Sequence, residues 1–239
     1  MILQIIFAKY SSIKDKILFA MDYYSKYNEI INQKIKDIEL KQYPYLLYEP
    51  IRYTLNTGGK HFRSMLVLLS CDMFCGDYER ALYPAIAIEI FHNFTLVHDD
   101  IMDNAPIRRG VPSVYKKWGL NTALLSGDVM FGKAYEYLMK YEAYNLKDIV
   151  KSFTQGAIEV CEGQQYDIDF ETLEDINEED YISMIELKTG VLIATALKIG
   201  AIAGGATTQD IENIYQFGKM IGIAFQIQDD FLDIYSENK

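Results

Sequence analysis

Two segments of this chain carry the same arrangement of carboxylates. Asp99-Asp100-x-x-Asp103 follows Leu96-Val97-His98, and Asp229-Asp230-x-x-Asp233 follows Gln226-Ile227-Gln228. Aspartate is a poor helix former, and a carboxylate near a helix C-terminus meets the negative end of the macrodipole. Asp99 and Asp103 are four apart, so on a helix they share a face and repel. Phe94, Leu96, Val97, Ile101 and Met102 around them are apolar. That predicts a largely buried helix, in which like charges neutralise or find a cation. A divalent metal on that face turns each penalty into a gain. Hard carboxylate oxygens suit Mg²⁺, which keeps several waters and often bridges to a substrate phosphate. A single such motif reads more readily as a solvated acidic helix end. Two copies, both in apolar helices, favour the metal. Two such helices facing each other would clamp a diphosphate across a cavity through several Mg²⁺ ions.

The cations stand next to glycines. Gly58-Gly59-Lys60-His61-Phe62-Arg63 puts Lys60 and Arg63 at the opening of a helix, where the N–H groups and the dipole favour an anion. Arg108-Arg109-Gly110 follows the first acidic motif closely, and guanidinium groups fit phosphate oxygens bidentately. Lys188-Thr189-Gly190 adds a cation in a largely apolar stretch. Each alone reads as a surface charge or a cap; together with two acidic helices they point to phosphate chemistry. Glu89-x-x-His92 has the spacing of a di-iron ligand pair. That reading needs a second copy, and the other histidines, His61 and His98, follow Gly58 and Thr95 by three. No Ser/His/Asp or Cys/His arrangement for covalent catalysis is evident.

Helices have to position these groups. Helical spacing predicts elements over Tyr23–Leu40, from Pro44 to the Gly58-Gly59 break, over His61–Cys75 and over Glu79 to about Asp103. Further helices are predicted over Thr122–Tyr141, Leu146–Tyr166, Glu178–Ala203 and Thr208–Ser236, with a loop marked by Pro106, Gly110 and Pro112. Asn177-Glu178-Glu179-Asp180 has the acid-rich look of a helix start. Period-2 strands are nearly absent. The expectation is one all-α domain over 23–239, preceded by an N-terminal extension over 1–22, with Met21 a second possible start.

Composition narrows the classes. In 239 residues, 23 Lys and Arg face 34 Asp and Glu, a net charge of -11. That argues against nonspecific binding to nucleic acid or to an anionic membrane surface. The three cysteines lack CxxC spacing, and Cys71 and Cys75 are one helical turn apart in an apolar run. Free thiols in a reducing cytoplasm are expected. No apolar run approaches the ~18 residues of a membrane span. Lys9 cuts short the apolar opening Met1–Ala8 without a small-residue cleavage site, so no signal peptide is expected.

In order, Gly58-Gly59-Lys60-x-x-Arg63, His92 with Asp99-Asp100-x-x-Asp103, Arg108-Arg109-Gly110, Gly127-Asp128, Gly163-Gln164, Lys188-Thr189-Gly190 and Gln226 with Asp229-Asp230-x-x-Asp233 resemble the trans-isoprenyl diphosphate synthases, the polyprenyl synthetase family. The likeness runs from about Tyr23 to Asp233. It implies an all-α, antiparallel helix bundle around a deep central cavity, usually a homodimer. It implies Mg²⁺-dependent head-to-tail condensation of isopentenyl diphosphate with an allylic diphosphate (dimethylallyl, geranyl or farnesyl). By that resemblance Asp99, Asp103 and Asp229 ligate Mg²⁺, and Asp100 and Asp233 support them, partly through water. Arg108, Lys188, Thr189 and Gln226 belong to the allylic site. Lys60, Arg63, His92 and Arg109 bind isopentenyl diphosphate. Phe94 and Thr95, five and four before Asp99, stand where the family places the floor of the product pocket, and one aromatic there implies a geranylgeranyl or farnesyl product.

The chain departs from the family at His61 and Ser64, where arginine and proline are usual, and at Tyr115, where histidine is common. It stops at Lys239, six residues after Asp233, so further C-terminal helices of the family pattern are expected to be missing. Two other functions were weighed. A class I terpene cyclase shares the first motif but usually has an Asn/Asp-Ser/Thr-Glu second motif, and lacks the Lys60, Arg63 and His92 set. A non-catalytic subunit tends to lose an acidic motif, and this chain keeps both.

Overall fold

The computed structural model describes residues 13–173 and 175–235. The readings made for the first twelve residues and for the last four therefore lie outside the described residues. The helices are α1 (Ile13–Lys36), α2 (Tyr45–Asn56), α3 (Phe62–Cys75), α4 (Leu82–Met102), α5 (Val114–Trp118), α6 (Leu120–Leu138), α7 (Leu146–Phe170), α8 (Glu178–Ile185), α9 (Val191–Ala203) and α10 (Thr208–Tyr235). The fold is all-α, as expected, apart from one two-stranded ribbon.

Two compact units make up the chain. The first comprises Met1–Met65 and Leu82–Lys140, the second Leu66–Ala81 and Tyr141–Lys239. In the first, α4 packs along α6, and α1, α2 and α5 complete the set. Ile31, Ile51, Ile88, Phe91, Met130 and Leu138 form its core. In the second, α9 is buried along nearly its whole length, from Val191 to Ala203 with Lys198 the exception. A helix apolar all round belongs at the centre of its unit, and α7 and α10 pack against this one.

Four boundaries differ from the sequence expectation, for local reasons. The first helix begins at Ile13, ten residues before Tyr23, and ends at Lys36. The long helix expected from Glu79 begins at Leu82, after a 3₁₀ turn over Tyr78–Ala81. Pro84 then falls in its first turn, where a missing N–H costs nothing. The stretch Glu178–Ala203 is interrupted by a π-helical turn over Glu186–Gly190. The expected loop at Pro106–Pro112 is a hairpin, in which β1 (Ile107–Arg108) pairs antiparallel with β2 (Val111–Pro112). Its two-residue turn has Arg109 at φ 53° and Gly110 at φ 79°. Left-handed backbone at both positions is the type I′ signature that suits a tight hairpin.

Candidate active site

The cations of the first unit gather where the glycine loop, α4 and the hairpin meet. Gly58, at φ 78°, and His61, at φ 47°, turn the chain sharply into α3, and Met65 N–H donates to His61 O at 3.0 Å, closing the first turn. A Cβ on Gly59 would lie 2.9 Å from Arg109 Nη2, so the glycine leaves room for that guanidinium against the loop. Arg109 Nη1 donates to Gly58 O and, at 3.3 Å, to Asn93 Oδ1. Arg63 Nη1 donates to His92 Nε2 at 3.1 Å, while Arg63 Nε is buried without a partner. Burial brings the Arg63 guanidinium down to about 10, against the opposing pull of Glu89 and Asp99. Burial, then the Arg63 charge, holds His92 well below its usual value. A neutral His92 is the form that can accept from Arg63. Lys60, in the same loop, is exposed. An orphaned guanidinium N–H beside crowded cations is a region that an anion would relieve.

The first acidic motif closes α4. Asp100 is buried and faces the hairpin, where Arg108 Nε and Nη2 both reach its Oδ1, at 2.8 and 2.6 Å. Burial raises the Asp100 carboxyl, and Arg108 opposes that rise. Asp99 is half-buried and Asp103 exposed. The helix is only partly buried here, with Phe94, Leu96 and Ile101 half-buried and Met102 exposed. One turn earlier, Phe94 meets Phe131 at 5.3 Å, Phe91 at 5.5 Å and His98 at 4.7 Å between ring centres. The Thr95 hydroxyl donates to His92 O at 2.8 Å.

In the second unit the π turn carries Lys188, whose Nζ reaches Asp167 Oδ2 at 2.5 Å. A Cβ on Gly163 would collide with the Lys188 backbone, so glycine lets α7 approach that turn. The extra residue of a π turn re-aims a side chain that a plain helix would place elsewhere. Thr189 donates to Gln226 Oε1 at 2.7 Å, and Gln226 Nε2 donates to Asp230 Oδ1 at 2.8 Å. The other Asp230 oxygen accepts from Tyr181 at 2.5 Å. The phenol is pushed up to about 12 by burial and by its bond to that carboxylate. Asp229 and Asp233 are exposed. The apolar neighbours Phe225, Ile227, Phe231 and Leu232 are exposed too, whereas the sequence predicted an apolar surround for this motif.

Arg63, His92 and Arg109 are thus brought together, as are Asp100 with Arg108, and Thr189 with Gln226. Sequence reasoning passed over Asn93, Asp167 and Tyr181, and it weighed Glu89 only as an iron ligand. Asn93 lies four residues after Glu89, on the same helix face, and that spacing was the available signal. Asp167 and Tyr181 gave none, because their partners are 21 and 49 residues away.

The chain as a whole is similar to known proteins. The family model described as Polyprenyl synthetase matches residues 44–239. The chain is 40% identical over 220 residues to the short chain isoprenyl diphosphate synthase of Methanothermobacter thermautotrophicus, covering 92% of this chain and 68% of that protein. It is 42% identical over 193 residues to the geranylgeranyl diphosphate synthase of Methanosarcina mazei, covering 80% of this chain and 60% of that one. The crystal structure of geranylgeranyl pyrophosphate synthetase from Pyrococcus horikoshii Ot3 superposes with a TM-score of 0.87 at 38% identity, covering 92% of this chain and 68% of that chain. The chain therefore spans between 60% and 68% of the length of these relatives. With the family model covering four-fifths of the residues and the acidic and basic motifs in their expected order, this chain belongs to the polyprenyl synthetase family.

Proposed function

We propose that the protein condenses isopentenyl diphosphate head to tail with an allylic diphosphate, releasing pyrophosphate and a short-chain all-trans prenyl diphosphate, geranylgeranyl or farnesyl. The observation that carries this reading is the buried Arg63, with an unpartnered N–H, grouped with His92, Arg109 and the glycine loop. Such a group has the chemistry of a diphosphate cradle that needs no metal. Lys60, Arg63, His92 and Arg109 would bind the isopentenyl head group, Lys60 closing over it from solvent. Arg108, Lys188, Thr189 and Gln226 would hold the allylic head group. Phe94, with Thr95, would form the floor that limits product length.

The acidic donors fit Mg²⁺. Among the described residues no three His, Cys, Asp or Glu side chains form a closed metal cluster. Diphosphate oxygens and waters would therefore complete the shell, as hard, reluctantly dehydrated Mg²⁺ prefers. Asp99, Asp103 and Asp229 would be the protein ligands, supported by Asp100 and Asp233. Bound Mg²⁺ supplies Lewis-acid stabilisation of the departing pyrophosphate. The arginines and Lys188 orient the allylic group, neutralise charge on the leaving oxygens and help exclude water from the allylic cation. The isopentenyl double bond attacks that cation, and the proton then lost goes to the released pyrophosphate.

No helix among the described residues is long and apolar enough to cross a membrane. We place the enzyme in the cytoplasm as a homodimer. The test is pyrophosphate release, which should require isopentenyl diphosphate, an allylic primer and Mg²⁺ together. Release from the primer alone, with a cyclised product, would support a cyclase instead.

A further inference from the structure

Beneath the isopentenyl diphosphate cradle lies a buried polar cluster that contacts no proposed substrate atom. Glu89, 1% exposed in the middle of α4, accepts from His61 Nδ1 at 2.9 Å, from the Ser64 hydroxyl and from Asn93 Nδ2 at 3.1 Å. Asn32 Nδ2 donates to Asn28 O at 2.8 Å, which turns Asn32 Oδ1 towards His61 Nε2 at 3.2 Å. Both His61 nitrogens are therefore held, one by Glu89 and one by Asn32. His61 and Ser64, the two departures from the family pattern in this loop, converge on one carboxylate. The chain of bonds also closes on itself. From Glu89 it passes to Asn93, whose Oδ1 accepts from Arg109; Arg109 donates to Gly58 O; and the loop returns from Gly58 to His61.

We propose that His61, Glu89 and Asn93 are positioning residues: they form a closed ring that locks the glycine loop and Arg109 into one anion-binding unit. The inference rests on the reading of this corner as the isopentenyl diphosphate site. His61, Glu89 and Asn93 are buried, so their effect on substrate passes through Lys60, Arg63 and Arg109. A left-handed His61 has a conformational cost that the cluster offsets, since Glu89 and Asn32 hold its two ring nitrogens. Asn93 is the informative member. It is neutral, so removing it changes no charge, and it links Glu89 directly to Arg109.

The test is calorimetric titration of the full chain with isopentenyl diphosphate alone, which needs no turnover. Asn93→Ala and Arg109→Ala should each weaken binding about tenfold, and the double variant should be no weaker than Arg109→Ala, as coupled residues behave in a mutant cycle. His61→Leu should weaken binding about tenfold, while His61→Arg, which keeps an N–H donor against Glu89, should stay within about threefold of wild type. Additive losses in the Asn93/Arg109 cycle, or binding unchanged in Asn93→Ala, would overturn the inference while leaving the site reading intact. A wild type that binds no isopentenyl diphosphate would overturn both. Should His61→Leu fail to fold, the Asn93 cycle decides alone.

Discussion

The two acidic motifs share a sequence and a helix geometry but not a support. In both, the outer aspartates share a face at i and i+4, and the middle one is turned aside and pinned. Asp100 is 2% exposed and pinned by a cation, Arg108, at 2.6 Å. Asp230 is half-buried and pinned by neutral donors, Tyr181 at 2.5 Å and Gln226 at 2.8 Å. The difference follows from burial. A carboxylate sealed under a hairpin needs a counter-charge, whereas one reached by water is satisfied by dipoles. The first motif is thereby tied into the stability of its unit. The second is tied to the π turn, through Thr189 next to Lys188, and so to the orientation of a cation.

The largest effect expected is the one the motifs share. Asp99→Ala and Asp229→Ala should each lower turnover at least about a thousandfold, roughly 4 kcal/mol of transition-state stabilisation. Without Mg²⁺ their thermal stability should hold or rise, since repulsion is relieved. Retained turnover in either would break the metal assignment.

The middle residues should behave unlike each other. Arg108→Leu strands Asp100 under the hairpin and should cost about 3 kcal/mol in denaturant unfolding, the low end for breaking a buried pair because Arg108 is partly wet. Tyr181→Phe should cost only about 1 kcal/mol. Equal losses would erase the contrast between the two supports.

A third way to sharpen the comparison uses acid. Glu89 belongs to the same unit as Asp100 but is shifted the opposite way. Burial would raise it, yet the bond from His61, joined by the Ser64 bond, brings it from 4.5 down to about 2. A depressed carboxyl contributes stability above its unfolded value and loses it as pH falls through the folded one. Unfolding free energy should therefore fall by roughly 3 kcal/mol on account of Glu89 as pH drops from about 4.5 to about 2. Glu89→Gln should flatten that part of the profile. An unchanged profile in the variant would show that Glu89 is not the group responsible.

The smallest effect concerns the exposed cation. Lys60→Ala should raise the KM for isopentenyl diphosphate about tenfold with the primer KM nearly unchanged. Equal shifts for both substrates would reassign the residue.

Much of this was legible in the sequence because the informative spacings are local. The i, i+4 aspartates, the apolar run of α4 and the glycines before Lys60 each declare themselves within a few residues. The hairpin is not legible because two-residue strands leave no period to detect, and its turn places Arg109 in a left-handed conformation more common for asparagine or glycine. The π turn was hidden because Glu186–Gly190 has good helical spacing on both sides. The supports of the middle aspartates were hidden in different degrees. Arg108 lies eight residues after Asp100 in a segment already suspected, whereas Tyr181 lies 49 residues before Asp230. Tertiary packing alone brings that second pair together. The exposed apolar face around Asp230 was not legible either, since an apolar surround in sequence usually means burial.

The central claim is transfer of an isopentenyl unit to an allylic cation. Its most direct measurement is incubation of the protein with radiolabelled isopentenyl diphosphate, Mg²⁺ and, in turn, dimethylallyl, geranyl and farnesyl diphosphates, followed by chain-length analysis of the dephosphorylated products. The account predicts label in an all-trans prenyl alcohol extended by whole five-carbon units and ending at farnesol or geranylgeraniol, lost on chelation. Label that never enters a prenyl product with any of the three primers, or incorporation that survives chelation, would contradict it.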